Sequence, residues 1–158
     1  MEKPIIFFGC SMRGGHVNVS RKKLAIIPSM IEELGFRLAS RHQTEEGVLE
    51  KENLLTKTQI HDRDYEWLLD SDLGIFEISN PSLGVGAEIA DMVHNKKPVL
   101  CVYDAGINAN EDSISAYILG KQGSRFIDSL IEHSAYSTQE ELKLIIQGFI
   151  LRVWDNKA

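Results

Sequence analysis

The run Val99-Leu100-Cys101-Val102-Tyr103 is apolar at consecutive positions, so an extended chain there presents apolar side chains to both faces of a sheet. Such a run suits a strand covered on both faces, as central parallel strands are. Two further runs, Pro4 to Gly9 and Leu73 to Ile78, have the same character, and helical patterns separate the three. Between the first two, Leu24, Ile27, Ile31 and Leu34 recur on one face of a helix from about Ser20 to Leu34, which Pro28 should kink by removing the hydrogen bond to the Leu24 carbonyl. A strand near Phe36 to Ser40, a helix from about Thr58 to Asp70, and a helix from Val85 to Asn95 follow. Beyond Tyr103 the spacing predicts a short helix over Ser113 to Gly120, a fifth strand at Arg125 to Ile127, and a long amphipathic helix from Thr138, its cap, to Trp154. Alternation of strand and helix predicts an α/β fold: a single-domain, doubly wound, Rossmann or flavodoxin-like sheet of about five mainly parallel strands with helices on both faces.

Length and charge narrow what such a domain can do. A chain of 158 residues is one domain, here spanning 1–158, and buries roughly 70% of its unfolded surface without disulfides or metal staples. Cys10 and Cys101 both sit in or beside apolar runs, which favours packed, reduced thiols and a cytoplasmic location. The segment Met1-Glu2-Lys3-Pro4 carries no secretory pattern, and no apolar run reaches bilayer-spanning length, so neither export nor a membrane partner is expected. A net charge of −6 and a pI near 5.4 argue against a groove for a nucleic acid polymer, while leaving room for a small anion held by one or two basic groups.

Ligands of doubly wound sheets bind outside the carboxyl ends of the strands, where strand order reverses. Two glycine-bearing turns end strands here. If the first and third strands are neighbours, Gly9-Cys10-Ser11-Met12-Arg13-Gly14-Gly15 faces Ser79-Asn80-Pro81-Ser82-Leu83-Gly84-Val85-Gly86 across one crevice. Backbone N–H groups, the Ser11 hydroxyl and the Arg13 guanidinium together suit a phosphate; a tight turn with a surface arginine is the plainer reading. Neither the three-glycine dinucleotide fingerprint nor the Gly-Lys-Ser/Thr pattern is present, which removes NAD and ATP as leading ligands.

Two acids stand on apolar helix faces. Glu88 lies three residues after Val85 and four before Met92, and Asp64 shares a face with Ile60, Trp67 and Leu68, whereas Asp62 and Glu66 do not. Burying an acid unpaired costs several kcal/mol, of order 2–7 for a polar group and more for a charge. Each acid therefore either finds a neighbouring arginine or backbone donor, or converges with the other on one pocket for glycoside-type chemistry. Placed near the start of its helix, Glu88 is expected to be favoured in its ionised form by about 0.3–1 kcal/mol.

These residues resemble the 2′-deoxynucleoside 5′-phosphate N-hydrolases, a family within the nucleoside 2-deoxyribosyltransferase superfamily. The resemblance rests on Gly9-x-Ser11-x-Arg13-Gly14-Gly15, on His42 after the second strand, on Asp64-x-x-Trp67-Leu68, on Pro81-Ser82-Leu83-Gly84-Val85-Gly86-x-Glu88, and on Ser115-Ala116-x-Ile118 followed by Gly123-Ser124-Arg125-Phe126. In order along nearly the whole chain, they imply one deoxyribosyltransferase-like catalytic domain that cleaves the N-glycosidic bond of 2′-deoxynucleoside 5′-monophosphates to free base and 2-deoxyribose 5-phosphate. By resemblance Glu88 is the nucleophile of a covalent glycosyl-enzyme and Asp64 the acid or base. Ser11, Arg13 and Ser82 hold the 5′-phosphate, with Gly9, Gly14, Gly15, Gly84 and Gly86 lining its approach and His42 lying near the nucleotide. The resemblance also implies a homodimer in which Ser115 reaches the neighbouring site, and it requires no metal or cofactor.

The sequence departs from this family at Phe7, where a tyrosine is usual and its hydroxyl contacts the nucleophile. Either Phe8, water or another donor compensates, or the activity is weaker or differs in substrate, or Phe7 is simply strand core. Tyr117, bulkier than expected beside Ser115, reshapes the subunit boundary in the same reading. His61, His94 and His133 lack the spacing of a metal site. Two rival functions stay open: a nucleoside 2-deoxyribosyltransferase exchanging bases, and a nucleotide-binding sensor that keeps the pocket without the chemistry.

Overall fold

The computed structural model describes residues 2–12, 18–40, 46–106 and 113–155. Along the chain run β1 (Ile5–Cys10), α1 (Arg21–Leu24), α2 (Ile26–Glu33), β2 (Arg37–Leu38), α3 (Val48–Glu52), α4 (Lys57–Asp70), β3 (Leu73–Glu77), α5 (Leu83–His94), β4 (Val99–Asp104), α6 (Ala116–Leu119), β5 (Ile131–Tyr136) and α7 (Gln139–Asp155). All strands pair in parallel, in the order β2-β1-β3-β4-β5, so the sheet is flavodoxin-like and its direction switches between β1 and β3. Cys10 registers with Glu77, and Phe76 with Cys101.

Each strand sends alternate side chains to opposite faces. Ile6, Phe8, Ile75, Leu100 and Val102 meet Leu24 of α1, Ile27 and Ile31 of α2, and Ile146 and Phe149 of α7. On the other face Phe7, Phe76, Val99 and Cys101 meet Leu68 of α4 and Val85, Ile89 and Met92 of α5. Phe7 is fully buried there, its ring centroid 5.8 Å from that of Phe76. Cys10 and Cys101 are buried on opposite faces and form no disulfide, and burial, the largest cause, pushes both thiols up to about 12.

The helix expected from Ser20 to Leu34 is broken at Ala25, one turn ahead of Pro28, where the proline can no longer bond the Leu24 carbonyl. The fifth strand is a clear correction. Residues 125–127 form a turn in which Ile127 N donates to the Ser124 carbonyl and Phe126 lies exposed, and the strand is instead Ile131–Tyr136. As an edge strand it is buried only at its two ends, which admits Glu132, His133 and Ser134 and hides the apolar signature. Among the described residues no helix is long and apolar enough to cross a membrane.

Candidate active site

The crevice between β1 and β3 is laced shut at its base by side chains that bridge the segments following the two strands. Asn80 Oδ1 accepts from the backbone N–H groups of Asn18 (2.6 Å) and Val19 (2.8 Å), and its Nδ2 donates to the Val19 carbonyl (2.8 Å). Asn18 Nδ2 donates to the Ser79 carbonyl (2.8 Å), and Ser11 Oγ donates to the Pro81 carbonyl (3.5 Å). Glu77 braces the same segment from behind. It is 1% exposed, its Oε1 accepts from Ser79 N (2.8 Å), and Oε2 has no hydrogen-bond partner among the described residues. Burial raises its pKa to about 7. Ser79 Oγ in turn accepts from Asp104 N (2.8 Å), and Asp104 pairs with Lys23 of α1. The local sequence marks neither Asn80 nor Glu77 for this role.

Above this base opens a cavity of about 1030 Å³. Asp64, Ser82, Gly84, Gly86, Glu88 and Ser115 all line it, so Asp64 of α4 and Glu88 of α5 face one cavity, and Ser115, which the resemblance assigns to a neighbouring site, borders the cavity of its own chain. Arg13, Gly14, Gly15 and His42 lie outside the described residues.

Glu88 is carried by α5, which presses Val85, Ile89 and Met92 into the sheet and so turns Glu88 toward β1. A Cβ built on Gly9 would lie 3.0 Å from Glu88 Oε2 and 2.5 Å from Phe76 Cδ1. Only glycine lets the Phe76 ring and the acid both approach the strand. Glu88 has no hydrogen-bond partner among the described residues, and burial, then the charges of Asp64 and Asp91, raise its pKa to about 8. The expected helix-dipole support is therefore overturned. Ser82, whose Oγ accepts from Val85 N (3.3 Å), starts α5 at Leu83, so Glu88 falls in the second turn and the first turn holds no acid. The dipole's effect is confined to the terminal turn, and desolvation wins.

Asp64 meets the opposite treatment. It stands on α4, whose start is fixed by a capping box between Thr56 and Gln59. Its Oδ1 accepts from Arg63 Nε (3.0 Å) and Nη2 (2.8 Å), and the same Nη2 donates to Glu52 Oε1 (2.6 Å). The guanidinium lies 4.9 Å from the centroid of Trp67. Burial alone would lower the Arg63 pKa, but the two carboxylates outweigh it and raise it.

The remaining lining is bare or polar. A Cβ on Gly86 would meet nothing within 4 Å, and one on Gly84 only Ser82 Oγ at 3.8 Å, so the first turn of α5 offers backbone to the cavity. Ser115 precedes α6 at the rim beside Tyr117, which is 80% exposed under the Lys121 ammonium, 4.7 Å from its ring centroid. No group of three or more His, Cys, Asp or Glu able to hold a metal occurs among the described residues. His61 instead pairs with Asp62 (2.9 Å).

Comparison with known proteins gives no matching family model. The chain is 39% identical over 155 residues to a Trichoplax adhaerens protein provisionally named 2′-deoxynucleoside 5′-phosphate N-hydrolase 1, covering 97% of this chain and 98% of that one. A Methanosarcina barkeri protein of the same provisional name is 34% identical over 150 residues, 95% and 87% of the respective lengths. The 5-hydroxymethyl-dUMP N-hydrolase of Tetraodon nigroviridis is 30% identical over 148 residues, 91% and 95% of the two chains. Among solved structures, a Clostridium botulinum CMP N-glycosidase superposes with a TM-score of 0.60 over 90% of this chain and 98% of its own, at 17% identity, a likeness of fold.

Proposed function

The chain belongs to the 2′-deoxynucleoside 5′-phosphate N-hydrolase family, and we propose that it is an N-glycosidase hydrolysing 2′-deoxynucleoside 5′-monophosphates to free base and 2-deoxyribose 5-phosphate. The observation that carries the reading is the meeting of Glu88 and Asp64, from two helices, at one cavity closed beneath by the Gly9 strand end.

Glu88 is the nucleophile. With a pKa of about 8 in the free site it holds a proton at neutral pH, because burial, and then the charges of Asp64 and Asp91, oppose its ionisation. Transfer of that proton by way of Asp64 to the leaving base creates the nucleophile and discharges the acid together. A Glu88 oxygen bonds to C1′, the C1′–N bond breaks with its electron pair going to the base, and the base leaves protonated. Water then attacks C1′, gives one proton to the carboxylate pair, and releases Glu88. The 5′-phosphate is held by Ser11, Arg13 and Ser82, with the N–H groups of Gly14 and Gly15 and the start of α5 as further donors. His42 lies near the nucleotide. Phe7 is core, and its missing hydroxyl accords with the absence of a described donor to Glu88.

The active form is a homodimer in which Ser115 serves the neighbouring site. Leu83, 97% exposed, and Tyr117 flank the cavity rim as an apolar surface suited to a second copy. Buried thiols that form no disulfide suit the reducing cytoplasm.

The test is a panel of nucleosides and 5′-monophosphates, deoxy and ribo, with and without a second free base, read by released base and sugar phosphate. Cleavage confined to deoxynucleoside 5′-monophosphates is expected. Equal cleavage without phosphate would remove the Ser11, Arg13 and Ser82 assignment, base exchange without net hydrolysis would assign a transferase, and binding without turnover would assign a sensor.

A further inference from the structure

We propose that Arg63 is a positioning residue that fixes which oxygen of Asp64 exchanges the proton with the leaving base. The inference rests on the acid–base role of Asp64 given above. Adjacent residues on a helix do not face one another, so the contact of Arg63 with Asp64 is not a default of α4. Three contacts bend the guanidinium back: Asp64 Oδ1 at 3.0 and 2.8 Å, Glu52 Oε1 at 2.6 Å, and the Trp67 ring, one turn further along α4, at 4.9 Å from its centroid. Glu52 comes from α3 and is itself buried, which anchors Arg63 to a second helix.

The consequence lies in the geometry of the fork. Nε and Nη2 both donate to Oδ1, so that oxygen already accepts two N–H groups, while Oδ2 has no partner among the described residues. A proton added at Oδ1 would displace the guanidinium, whereas one added at Oδ2 displaces nothing. Asp64 therefore meets the substrate through Oδ2, in a fixed orientation. Lysine, a point charge without a planar fork, would keep the charge and lose the orientation. A misplacement of about 1 Å in a group that must meet the reacting atoms costs on the order of 10²-fold in rate.

The experiment compares the wild type, Arg63→Gln, Arg63→Lys, Asp64→Asn and the double variant Arg63→Gln with Glu52→Gln, which also removes the buried charge left by the first change. Each is assayed on deoxynucleoside 5′-monophosphates and on 4-nitrophenyl 2-deoxyriboside 5-phosphate, whose leaving group departs without a proton. The expected result is a loss of about 10–10²-fold in kcat on nucleotides for all the Arg63 variants, with KM within about threefold, and near wild-type rates on the nitrophenyl substrate above about pH 8, where Glu88 is already ionised. Equal losses on both substrates would make Arg63 merely structural and overturn the proposal, as would full nucleotide activity in Arg63→Gln. If Asp64→Asn keeps its activity on nucleotides, or the wild type cleaves none of them, the underlying reading fails and the proposal with it. Loss in Asp64→Asn alone, with the Arg63 variants unaffected, defeats only the proposal.

Discussion

Glu88 and Asp64 reach one cavity from two helices, and the fold treats the two acids in opposite ways. Asp64 is gripped through one oxygen by a guanidinium that is itself held by Glu52 and Trp67. Glu88 is pressed against the bare backbone of Gly9 with no described donor, and its pKa rises to about 8. The raised pKa keeps on Glu88 the proton that, on the proposed reading, passes by way of Asp64 to the leaving base, and its departure frees the Glu88 carboxylate to attack. The contrast also separates energetic roles: the Asp64 surroundings satisfy a charge, while those of Glu88 disfavour it.

Replacing each acid should break the comparison most severely. On the proposed reading Glu88→Gln removes the attacking oxygen, and kcat on deoxynucleoside monophosphates should fall by about 10⁴-fold or more in a base-release assay. Asp64→Asn keeps the shape and loses the proton carrier, with an expected fall of about 10²–10⁴-fold, smaller for substrates whose leaving group needs no proton. Gly9→Ala tests the floor under Glu88. The new methyl would crowd Phe76 and Glu88 Oε2, so chemical denaturation should show a loss of about 1–3 kcal/mol, accompanied by reduced kcat.

The pH dependence sharpens the same contrast. Below about pH 8 Glu88 retains its proton; above it that proton is gone and the leaving base has no donor. kcat/KM should therefore fall above about pH 8, approaching tenfold per unit, and a rate still rising from pH 8 to 9 would contradict a proton delivered from Glu88. Stability follows from the same shift. A carboxyl raised from 4.5 to about 8 by folding contributes stability that is complete below its unfolded pKa and is lost as pH rises toward 8. Glu88→Gln should thus melt higher than the wild type at pH 8, with the gap narrowing toward pH 5; a gap independent of pH would show that Glu88 is not strained. This is the smallest of the expected effects, about 2–4 °C for each kcal/mol.

Much of this arrangement is legible in the sequence because it is written in periodicity. β1, β3 and β4 are central strands, and their unbroken apolar runs mark them. Glu88 and Asp64 betray themselves as acids on apolar helix stripes. β5 is not legible, since an edge strand tolerates the polar residues that interrupt its pattern, and α3 is too short to establish a period. Asn80 acts through backbone groups of a distant segment, which no local spacing reports, and Glu77, which bonds Ser79 N two residues on, is concealed within the apolar run of β3. Arg63 was hidden for a different reason: its partner is its immediate neighbour, a contact that helix geometry does not lead one to expect. The helix dipole does not support Glu88 because α5 begins at Leu83, two residues before the expected start at Val85, which places Glu88 beyond the terminal turn.

The central claim is that Glu88, and not Asp64, forms the bond to the sugar. Rapid quenching of the enzyme with a deoxynucleoside 5′-monophosphate, followed by intact-protein and peptide mass spectrometry, tests it directly. The account predicts a deoxyribose-phosphate adduct on the peptide that contains Glu88, present in Asp64→Asn and absent from Glu88→Gln. An adduct on the Asp64 peptide, or turnover that survives in Glu88→Gln, would contradict it.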